Sequence, residues 1–321
     1  MTKIYYDKDA SLDLVLERTV AIIGYGNQGR AQALNMRDSG VKRIIVGSTW
    51  EDGFEAFDIA EASKQADIIF ILLPDEVAPP IYKEQIEPYL EPGDVVNFSS
   101  GYNITYGFIV PRADLDIIMV APRMIGNGVR ETFLSGQGFP AFVVVKQDSS
   151  GNAKAIALGL AKAIGSTKSG AIETTFNDET YLDLMSEQAV WPLIMNVMTE
   201  VFDLLVSKGH SPEAILTELY LSREPAFMME KMAEVGLFRQ LPMHSRTSQY
   251  GQLSRYKQVD TSYIREFLEK QYENITNGSF ASEWDNVMKD DLKEYRQLLD
   301  EALKSPISEA EDNVKDSLNR D

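Results

Sequence analysis

Three carboxylates recur at every fourth position in the segment NDETYLDLMSEQAV: Glu179, Asp183 and Glu187. On a helix this spacing places them on one face, which becomes apolar immediately afterwards. No Lys or Arg occurs between Gly170 and Lys208 to pair with them. Unpaired carboxylates beside a core favour a divalent cation, and oxygen-only ligands are typical of Mg²⁺ or Mn²⁺. The competing interpretation is an ordinary solvated acidic face.

Two further acids, Glu218 and Glu224, lie six residues apart in ILTELYLSREPAFMMEKM. On a regular helix they would point about 240° from each other. They can share a site only if the helix is distorted, and the helix-breaking Pro225 is a reason for distortion. The two histidines belong to no acid or nucleophile pattern. We interpret His210 as a surface loop residue; His244 could line a site, but an ordinary structural role is favoured for both.

The segment TVAIIGYGNQG carries the motif G-x-G-x-x-G after a β-branched run and at the start of a helical pattern. In this context Gly24 allows a tight turn, Gly26 lets the backbone approach a pyrophosphate, and Gly29 permits close packing of helix on strand. The helix N-terminus adds N–H donors for the phosphates. The alternative is a glycine-rich turn that binds nothing. The motif predicts a dinucleotide site formed by Gly24, Tyr25, Gly26, Asn27, Gln28 and Gly29.

The choice between NADH and NADPH is made where the second strand ends, in the sequence GSTWED. An NADPH site needs Arg or Lys for the 2′-phosphate, and this loop contains neither. Glu51 or Asp52 could accept a hydrogen bond from a ribose hydroxyl and would repel the phosphate. We therefore expect a preference for NADH. Ser48 and Thr49 leave phosphate binding open, and the two acids could simply begin the next helix.

Around these residues, positions 19–147 alternate short buried strands with helical patterns, which predicts an α/β fold with a doubly wound parallel sheet. Strands are expected at Thr19–Ile23, Arg43–Val46, Ile68–Leu72, Asp94–Asn97, Asp116–Val120 and Ala141–Val145. Long helices follow, expected at Val190–Ser207, Ser211–Gly236, Thr261–Thr276 and Glu283–Leu303. We expect a dinucleotide-binding domain over residues 1–175 and a helical domain over residues 176–321, ending in a loosely held polar tail from Glu309.

The 321 residues include 31 Lys and Arg against 49 Asp and Glu, a net charge of −18. Such a chain lacks the basic face that nucleic acids or anionic membranes require. The absence of Cys excludes disulfides, iron–sulfur clusters, thiolate zinc sites and thiol nucleophiles. The longest apolar runs, such as Ile68–Leu73, fall far short of the roughly 18–20 residues of a membrane span. We expect a soluble, cytoplasmic protein that uses hard-metal or cofactor chemistry.

A series of motifs extends over nearly the whole chain. The glycine motif belongs to GYGNQGRAQALNMRDSG, followed in order by LLPDE, GYNI, GNGVRETF, GQGFPA, KQDSSGNA, IETTFNDET, DLMSEQAV, ITNGSFASEW and SPISEA. In sequence, order and spacing these segments resemble the short-form (class I) ketol-acid reductoisomerases, in which the first segment is GYGSQGHAHALNLRDSG. The resemblance implies an N-terminal Rossmann domain and a knotted, all-helical C-terminal domain.

The resemblance also implies an activity. Such an enzyme converts 2-acetolactate or 2-aceto-2-hydroxybutyrate into the 2,3-dihydroxy acid of branched-chain amino-acid synthesis. It does so by an Mg²⁺-dependent alkyl shift followed by reduction with NADH or NADPH. Two Mg²⁺ ions are normally required, and a second subunit closes the active site. The expected partners are therefore a small-molecule 2-keto acid substrate and further copies of the chain, as a homodimer or a larger homo-oligomer.

The resemblance implies that positions matching the family's motifs have the same roles as in the family. Asp183 and Glu187 match metal ligands, and Glu179 matches the acid one turn earlier. Ser245 matches the serine that contacts the substrate. The segment LLPDE supplies three further residues expected at the cofactor: Leu73, Pro74 and Asp75.

Glu218 and Glu224 match the two metal-site acids that the family supplies from the second subunit. The family spaces these acids four residues apart, whereas this chain has a two-residue insertion between them. The resemblance therefore implies either that the helix bulges or that Ser222 takes the second position.

Two departures from the family concern the chemistry directly. Ser100 stands where the family has an active-site His, and Arg123 where it has an active-site Lys. A serine does not titrate near neutral pH and an arginine does not release its proton, so the family's proton relay is altered. Arg123 still supplies a positive charge, and metal-bound water oriented by Ser100 could carry the proton.

Three functions remain open at this point. The first is ketol-acid reductoisomerase. The second is a diverged reductase that keeps the cofactor and the metal but reduces a different 2-keto acid without isomerising it. The third is a catalytically silent dinucleotide-binding or assembly protein.

Overall fold

The computed structural model describes residues 2–47 and 52–318, without the side chains of residues 315–318. It divides into two compact units, Met1–Asp183 and Leu184–Asp321. This division lies within one continuous helix, Phe176–Ser207, whereas the sequence pattern places it before that helix. The difference arises because the first turns of the helix belong to the first unit, where Phe176 and Glu179 are buried.

Nine strands in the described residues form the sheet of the first unit: β1 (Ile4–Tyr5), β2 (Thr19–Ile23), β3 (Arg43–Gly47), β4 (Glu55–Phe57), β5 (Ile68–Ile71), β6 (Val95–Phe98), β7 (Asp116–Pro122), β8 (Ala141–Gln147) and β9 (Ala171–Glu173). Their order is β1-β9-β8-β7-β6-β5-β2-β3-β4. Six neighbouring strands run parallel to one another: β7, β6, β5, β2, β3 and β4. β8 is antiparallel to β7, and β1 to β9. The predicted parallel sheet is confirmed for these central strands, and the other edge makes the sheet mixed.

All six expected strands are present, with ends that differ from expectation by at most two residues. Three further strands, β1, β4 and β9, are not among the predicted ones. These strands have only two or three residues each, which is too short for a periodic pattern to appear.

Helices cover both faces of this sheet: α1 (Asn27–Asp38), α2 (Ile59–Gln65), α3 (Ala78–Ile81), α4 (Tyr102–Thr105), α5 (Gly126–Leu134), α6 (Ala153–Ile164) and α7 (Phe176–Met185). Successive residues of β2 serve the two faces in turn. Val20 and Ile22 pack in the core beneath α1, α5 and α6, and Ala21 and Ile23 in the core beneath α2 and α4. Because the parallel strands end at one edge, the loops that follow them gather there.

The second unit is helical, as predicted: α8 (Trp191–Ser207), α9 (Pro212–Leu216), α10 (Glu224–Val235), α11 (Arg246–Tyr256), α12 (Ser262–Thr276), α13 (Ser279–Lys289), α14 (Lys293–Leu303) and α15 (Pro306–Leu318). Phe202 of α8 and Leu216 of α9 share a small core with Ala310 and Val314 of α15. The hydroxyl of Tyr220 also donates a hydrogen bond to Glu311 of α15. The expectation of a loosely held tail is therefore wrong for its described part.

The prediction of one helix over 211–236 is also wrong. A π-helical turn, Thr217–Leu221, follows α9, and Arg223 then adopts a left-handed conformation with φ of +64° before α10 begins. A π turn holds one residue more than an α turn. Pro225 lies in the first turn of α10, where its missing N–H removes no hydrogen bond. The segment thus contains the distortion that Pro225 and the two-residue insertion suggested.

The prediction of one helix over 283–303 fails for a similar reason. The backbone of Asp291 and Leu292 is left-handed, with φ of +51° and +58°, and this turn separates α13 from α14. Neither residue is a glycine, so the sequence carries no local signal for the break.

One helix of the described residues, Phe176–Ser207, is long and apolar enough to cross a membrane by length and composition. The lengths of the uninterrupted apolar runs did not predict this helix, because polar residues interrupt its apolar sequence. A single helix of this kind is weak evidence for a membrane span. Only 11% of its most apolar window is buried inside the chain, so its apolar side chains are accessible to a partner.

Candidate active site

The glycine loop between β2 and α1 has room for a pyrophosphate. Gly24 has φ of +101°, and a Cβ there would lie 2.5 Å from the carbonyl oxygen of Leu72. A Cβ on Gly29 would lie 2.0 Å from the carbonyl oxygen of Gly24. Apart from chain neighbours, no atom of the described residues lies within 4 Å of a Cβ built on Gly26. Gly24 and Gly29 are therefore needed for close packing. Gly26 leaves open space at the N-terminus of α1, which suits an anionic ligand.

A cavity of about 350 Å³ lies beside this loop, lined by Tyr25, Asn27 and the first residues of α5. Gln28 ties the loop to the segment before α5, since its Nε2 donates to the carbonyl oxygen of Met124 (2.8 Å). Gly126, the first residue of α5, packs so closely that an added Cβ would lie 2.2 Å from the carbonyl oxygen of Asn27. Two helices, α1 and α5, therefore begin at one cavity, which strengthens the fit to a phosphate group.

Asp52, in the loop predicted to select the cofactor, is held by side chains from the glycine loop and α1. Nε and Nη2 of Arg30 donate to its two carboxylate oxygens (2.6 and 2.8 Å), and the Tyr25 hydroxyl donates to Oδ2 (2.9 Å). Nη1 of Arg37 donates to its carbonyl oxygen (2.9 Å). The hydrogen bond from Arg30 is the main cause that lowers the pKa of Asp52. Three other residues predicted for this loop lie outside the described residues: Ser48, Thr49 and Glu51.

Arg30 and Arg37 are not among the predicted cofactor residues, because they lie in α1 and not in the loop itself. They lie seven residues apart in α1, close to two helical turns, and therefore on one face of the helix. Two basic residues at this spacing in the helix after a glycine motif were the signal that could have located them.

The segment LLPDE leaves the sheet after β5. The backbone nitrogen of Leu73 would lie 3.0 Å from a Cβ on Gly24, so Leu73 borders the glycine loop. The carbonyl oxygen of Pro74 accepts a hydrogen bond from the N–H of Val77 (3.0 Å). Nδ2 of Asn103, in α4, donates to the carbonyl oxygen of Asp75 (2.9 Å). The predicted cofactor segment is thus tied to the turn that follows β6.

Glu179 is the most buried of the predicted site carboxylates, with 3% of its side chain exposed. Its Oε2 accepts a hydrogen bond from the N–H of Gly101 (2.7 Å), and its Oε1 accepts one from Nη1 of Arg123 (3.0 Å). Burial outweighs these contacts and, with the nearby charge of Asp183, raises the pKa of Glu179 to about 7. The carboxyl group can therefore hold or release a proton near neutral pH.

Arg123 lies between two of the predicted carboxylates. Besides Glu179, it contacts Asp183, whose Oδ1 accepts a hydrogen bond from Nη2. Its guanidinium also lies over the ring of Phe142, 5.0 Å from the centroid. The expectation that these carboxylates are unpaired is therefore wrong for Glu179 and Asp183. Their partner, Arg123, directly follows β7 and precedes them by 56 and 60 residues.

The turn after β6 joins this carboxylate cluster to the cofactor segment. A Cβ on Gly101 would lie 2.5 Å from Oγ1 of Thr180 and 2.9 Å from Oε2 of Glu179. Side chains larger than hydrogen are therefore excluded at this position. Because Asn103 lies two residues later and holds Asp75, one short turn positions both the buried carboxylate and the loop expected at the cofactor.

Ser100 precedes this glycine and is partly buried. Its Oγ accepts a hydrogen bond from the N–H of Tyr102 (3.3 Å). Ser100 therefore borders the cluster, where the family resemblance places a histidine. It offers a hydroxyl there but no group that titrates near neutral pH.

The remaining predicted residues belong to the second unit. Glu187 is exposed in a π-helical turn. Glu218 is exposed in the π turn after α9, and Glu224 is exposed at the start of α10. Ser245 caps α11, since its Oγ accepts a hydrogen bond from the N–H of Ser248 (3.2 Å).

Among the described residues, no group of three or more Asp, Glu or His side chains could hold a metal ion. The carboxylates of Asp183 and Glu187 are nevertheless ligands of the kind that Mg²⁺ prefers. The side chain of Asp183 is 38% exposed. One chain thus offers part of a suitable ligand set, and the metal site stays a prediction.

We expect Gly101→Ala to lower the free energy of unfolding by about 1–3 kcal/mol, because the new Cβ overlaps Thr180 and Glu179. Urea denaturation followed by circular dichroism measures this. Gly26→Ala is the matched control, since its Cβ meets open space, and its stability should change by less than about 1 kcal/mol. Equal stability of the two variants would contradict the packing described for Gly101.

Both units match known families. Residues 14–170 match the family described as acetohydroxy acid isomeroreductase, NADPH-binding domain, and residues 176–320 match the ketol-acid reductoisomerase C-terminal domain. The two matches together cover almost the whole chain.

Individual relatives match over the same extent. The chain is 45% identical over 320 residues to ketol-acid reductoisomerase (NADP(+)) of Pyrococcus abyssi, covering 97% of this chain and 94% of that protein. It is 44% identical over 293 residues to the enzyme of the same name from Methanocaldococcus jannaschii, covering 88% of each. A solved structure of an NADH-preferring ketol-acid reductoisomerase from an uncultured archean superposes with a TM-score of 0.91, at 33% identity over 98% of both chains. These matches show that the chain belongs to the ketol-acid reductoisomerase family.

Proposed function

We propose that this protein is a ketol-acid reductoisomerase that converts 2-acetolactate or 2-aceto-2-hydroxybutyrate to the 2,3-dihydroxy acid. The observation that carries the proposal is the pairing of Glu179 with Arg123 beside Asp183, in the unit that also holds the glycine loop. The names of the relatives from Pyrococcus abyssi and Methanocaldococcus jannaschii support the same reaction.

The proposed reaction needs proton transfer and charge stabilisation. In the isomerisation, an alkyl group moves from C2 to the adjacent carbonyl carbon while the C2 hydroxyl loses a proton and the former carbonyl oxygen gains one. In the reduction, the new C2 carbonyl takes a hydride from the cofactor and a proton. Both steps need a group that exchanges protons near neutral pH and positive charge near the developing oxyanion.

Glu179 and Arg123 fit these two needs. Glu179 has a pKa raised to about 7 by burial, so it can exchange a proton near neutral pH. Arg123 supplies a positive charge beside Glu179. We propose that this pair replaces the histidine and lysine of the family and that Ser100 orients water or substrate at its side.

Asp183 and Glu187 are the proposed Mg²⁺ ligands, with Glu218 and Glu224 completing the set from a second subunit. When bound, Mg²⁺ supplies Lewis-acid stabilisation of the substrate's oxygen atoms. Ser245 is proposed to contact the substrate. The residues of the chain then provide the orientation, because Arg123 and the N–H of Gly101 both donate to the carboxyl group of Glu179.

We propose that NADH is preferred over NADPH. The arginine best placed to bind a 2′-phosphate, Arg30, is already paired with Asp52, which adds a negative charge at the same place. A phosphate would therefore meet repulsion from Asp52 and would have to compete with it for Arg30. The matched structure described as NADH-preferring supports this choice, whereas the curated relatives are named for NADP(+).

We propose that the protein is a soluble, cytoplasmic homodimer or larger homo-oligomer. Large apolar side chains of α8 are exposed, with exposures of 53% for Trp191, 58% for Met195, 62% for Val197 and 57% for Leu204. Phe202 is the buried exception among the described residues of this helix. An apolar surface of this kind is typical of an obligate interface, and a second copy of the chain is the occupant that the family resemblance implies.

Purified protein should convert 2-acetolactate and NADH to 2,3-dihydroxy-isovalerate only when Mg²⁺ is present. Product identification by mass spectrometry, with and without Mg²⁺, measures this. The already isomerised 3-hydroxy-2-keto acid serves as the second substrate. Turnover of that substrate alone would reject the proposal in favour of a reductase without isomerase activity. The replacement of the family's His by Ser100 and of its Lys by Arg123 is also consistent with such a diverged reductase.

Asp52→Asn should raise kcat/KM for NADPH by about tenfold and change kcat/KM for NADH little, because it removes one negative charge from the place where the 2′-phosphate would lie. Steady-state kinetics with both cofactors measures this, and the unmodified protein should favour NADH. Asp114→Asn is the matched control. Asp114 forms the same kind of bidentate ion pair with Arg112, but it is not among the residues predicted to bind the cofactor. Higher NADPH efficiency in the unmodified protein would reject the proposal.

Met195→Glu should weaken the dimer by at least about tenfold, because it places a charge in an apolar interface. Light scattering after size exclusion over a dilution series measures the dissociation constant. Val110→Glu changes an apolar residue of the first unit that is 78% exposed and should leave the assembly unchanged. A monomeric unmodified protein, or an unchanged dissociation constant for Met195→Glu, would show that α8 is not the interface.

A further inference from the structure

We propose that Arg123 and the divalent metal compete for Asp183, so that the guanidinium must leave this carboxylate before the metal binds. The inference rests on the proposed function, because it takes Asp183 as a metal ligand. It concerns Arg123, which stands where the family resemblance places a lysine.

The hydrogen bonds of the cluster already use most of its carboxylate oxygens. Oε1 of Glu179 accepts from Arg123 and Oε2 from the N–H of Gly101. Oδ1 of Asp183 accepts from Nη2 of Arg123. Within the described residues, no hydrogen-bond donor reaches Oδ2 of Asp183, so a metal ion would have to bind next to the guanidinium.

A bound guanidinium and a divalent cation cannot share one carboxylate without strong repulsion. Arginine cannot relieve this repulsion by losing its proton. The geometry of arginine also matters, since its planar fork donates in two directions and bridges Glu179 and Asp183 at once. A lysine ammonium is a single point charge on a flexible stem and does not form the same rigid bridge.

Two other contacts can hold the side chain of Arg123 after it leaves Asp183. Its Nη1 still reaches Glu179, and its guanidinium still lies over the ring of Phe142. Metal binding would therefore shift the guanidinium from a bridging state to one that contacts Glu179 alone. The expected consequence is a metal affinity lower than the carboxylates alone would provide.

Titration with Mn²⁺, followed by the electron paramagnetic resonance of the free ion, measures this affinity without any turnover. We expect Arg123→Lys to bind Mn²⁺ at least about fivefold more tightly than the unmodified protein. Arg112→Lys is the matched control, because Arg112 pairs with Asp114 and takes no part in the site, and its affinity should equal that of the unmodified protein. A merely structural role for Arg123 would weaken metal binding, so a gain in affinity is diagnostic.

A second measurement uses the unmodified protein and does not depend on the folding of a variant. In ¹⁵N-labelled protein, saturating Mg²⁺ should shift the side-chain signal of Arg123, assigned through its backbone, and leave that of Arg112 unchanged. An unmoved Arg123 signal, an Mn²⁺ affinity of Arg123→Lys equal to or weaker than that of the unmodified protein, or no Mn²⁺ binding by any form would overturn the inference.

The acetolactate assay separates failure of this inference from failure of the proposed function. Mg²⁺-dependent product formation without a tighter Arg123→Lys site would reject the competition and retain the function. Tighter Mn²⁺ binding by Arg123→Lys without product from any form would retain the competition and reject the function.

Discussion

A carboxylate removed from water constrains the rest of this site. Glu179 is buried, and an ionised carboxylate in such a place costs several kcal/mol unless hydrogen bonds and a counter-charge offset it. The N–H of Gly101 and the guanidinium of Arg123 offset part of that cost, and burial still raises the pKa of Glu179 to about 7. Position 101 must therefore remain glycine, and Arg123 must point toward the helix that carries Glu179.

The same constraint connects the two departures from the family. Loss of the histidine at Ser100 removes a group that titrates near neutral pH, and burial gives Glu179 a pKa in that range. Replacement of the lysine by Arg123 keeps the positive charge and adds a second donor nitrogen, Nη2, which donates a hydrogen bond to Asp183. In the proposed function these substitutions change which group exchanges protons, and they preserve the positive charge of the cluster.

The order of the strands explains why distant segments meet. β2, β5, β6 and β7 are parallel, so the glycine loop, LLPDE, the turn at Gly101 and Arg123 follow strands that end at one edge. Side-chain hydrogen bonds, such as that of Asn103 to Asp75, then tie neighbouring loops together. The second unit differs in kind, because its small core leaves the apolar residues of α8 exposed.

Much of this protein could be predicted from the sequence. The β-branched runs located the six longer strands, the glycine motif located the turn before α1, and the ordered motifs identified the family. Each of these signals arises within a few residues, because strand alternation, turn conformation and helix capping are local properties. The spacing of the carboxylates indicated Glu179, and the resemblance indicated Ser100 and Arg123, but neither predicted the contacts among these residues.

Only the tertiary structure decided which groups are paired. Arg123 lies 56 residues before Glu179, and Arg30 reaches Asp52 from a helix, so no local pattern reveals these ion pairs. The left-handed turns at Arg223 and Leu292 occur without glycine, and the polar tail is held because Val314 packs against other helices of its unit. Charge pairing and burial depend on which elements the fold brings together, and that is a property of the whole chain.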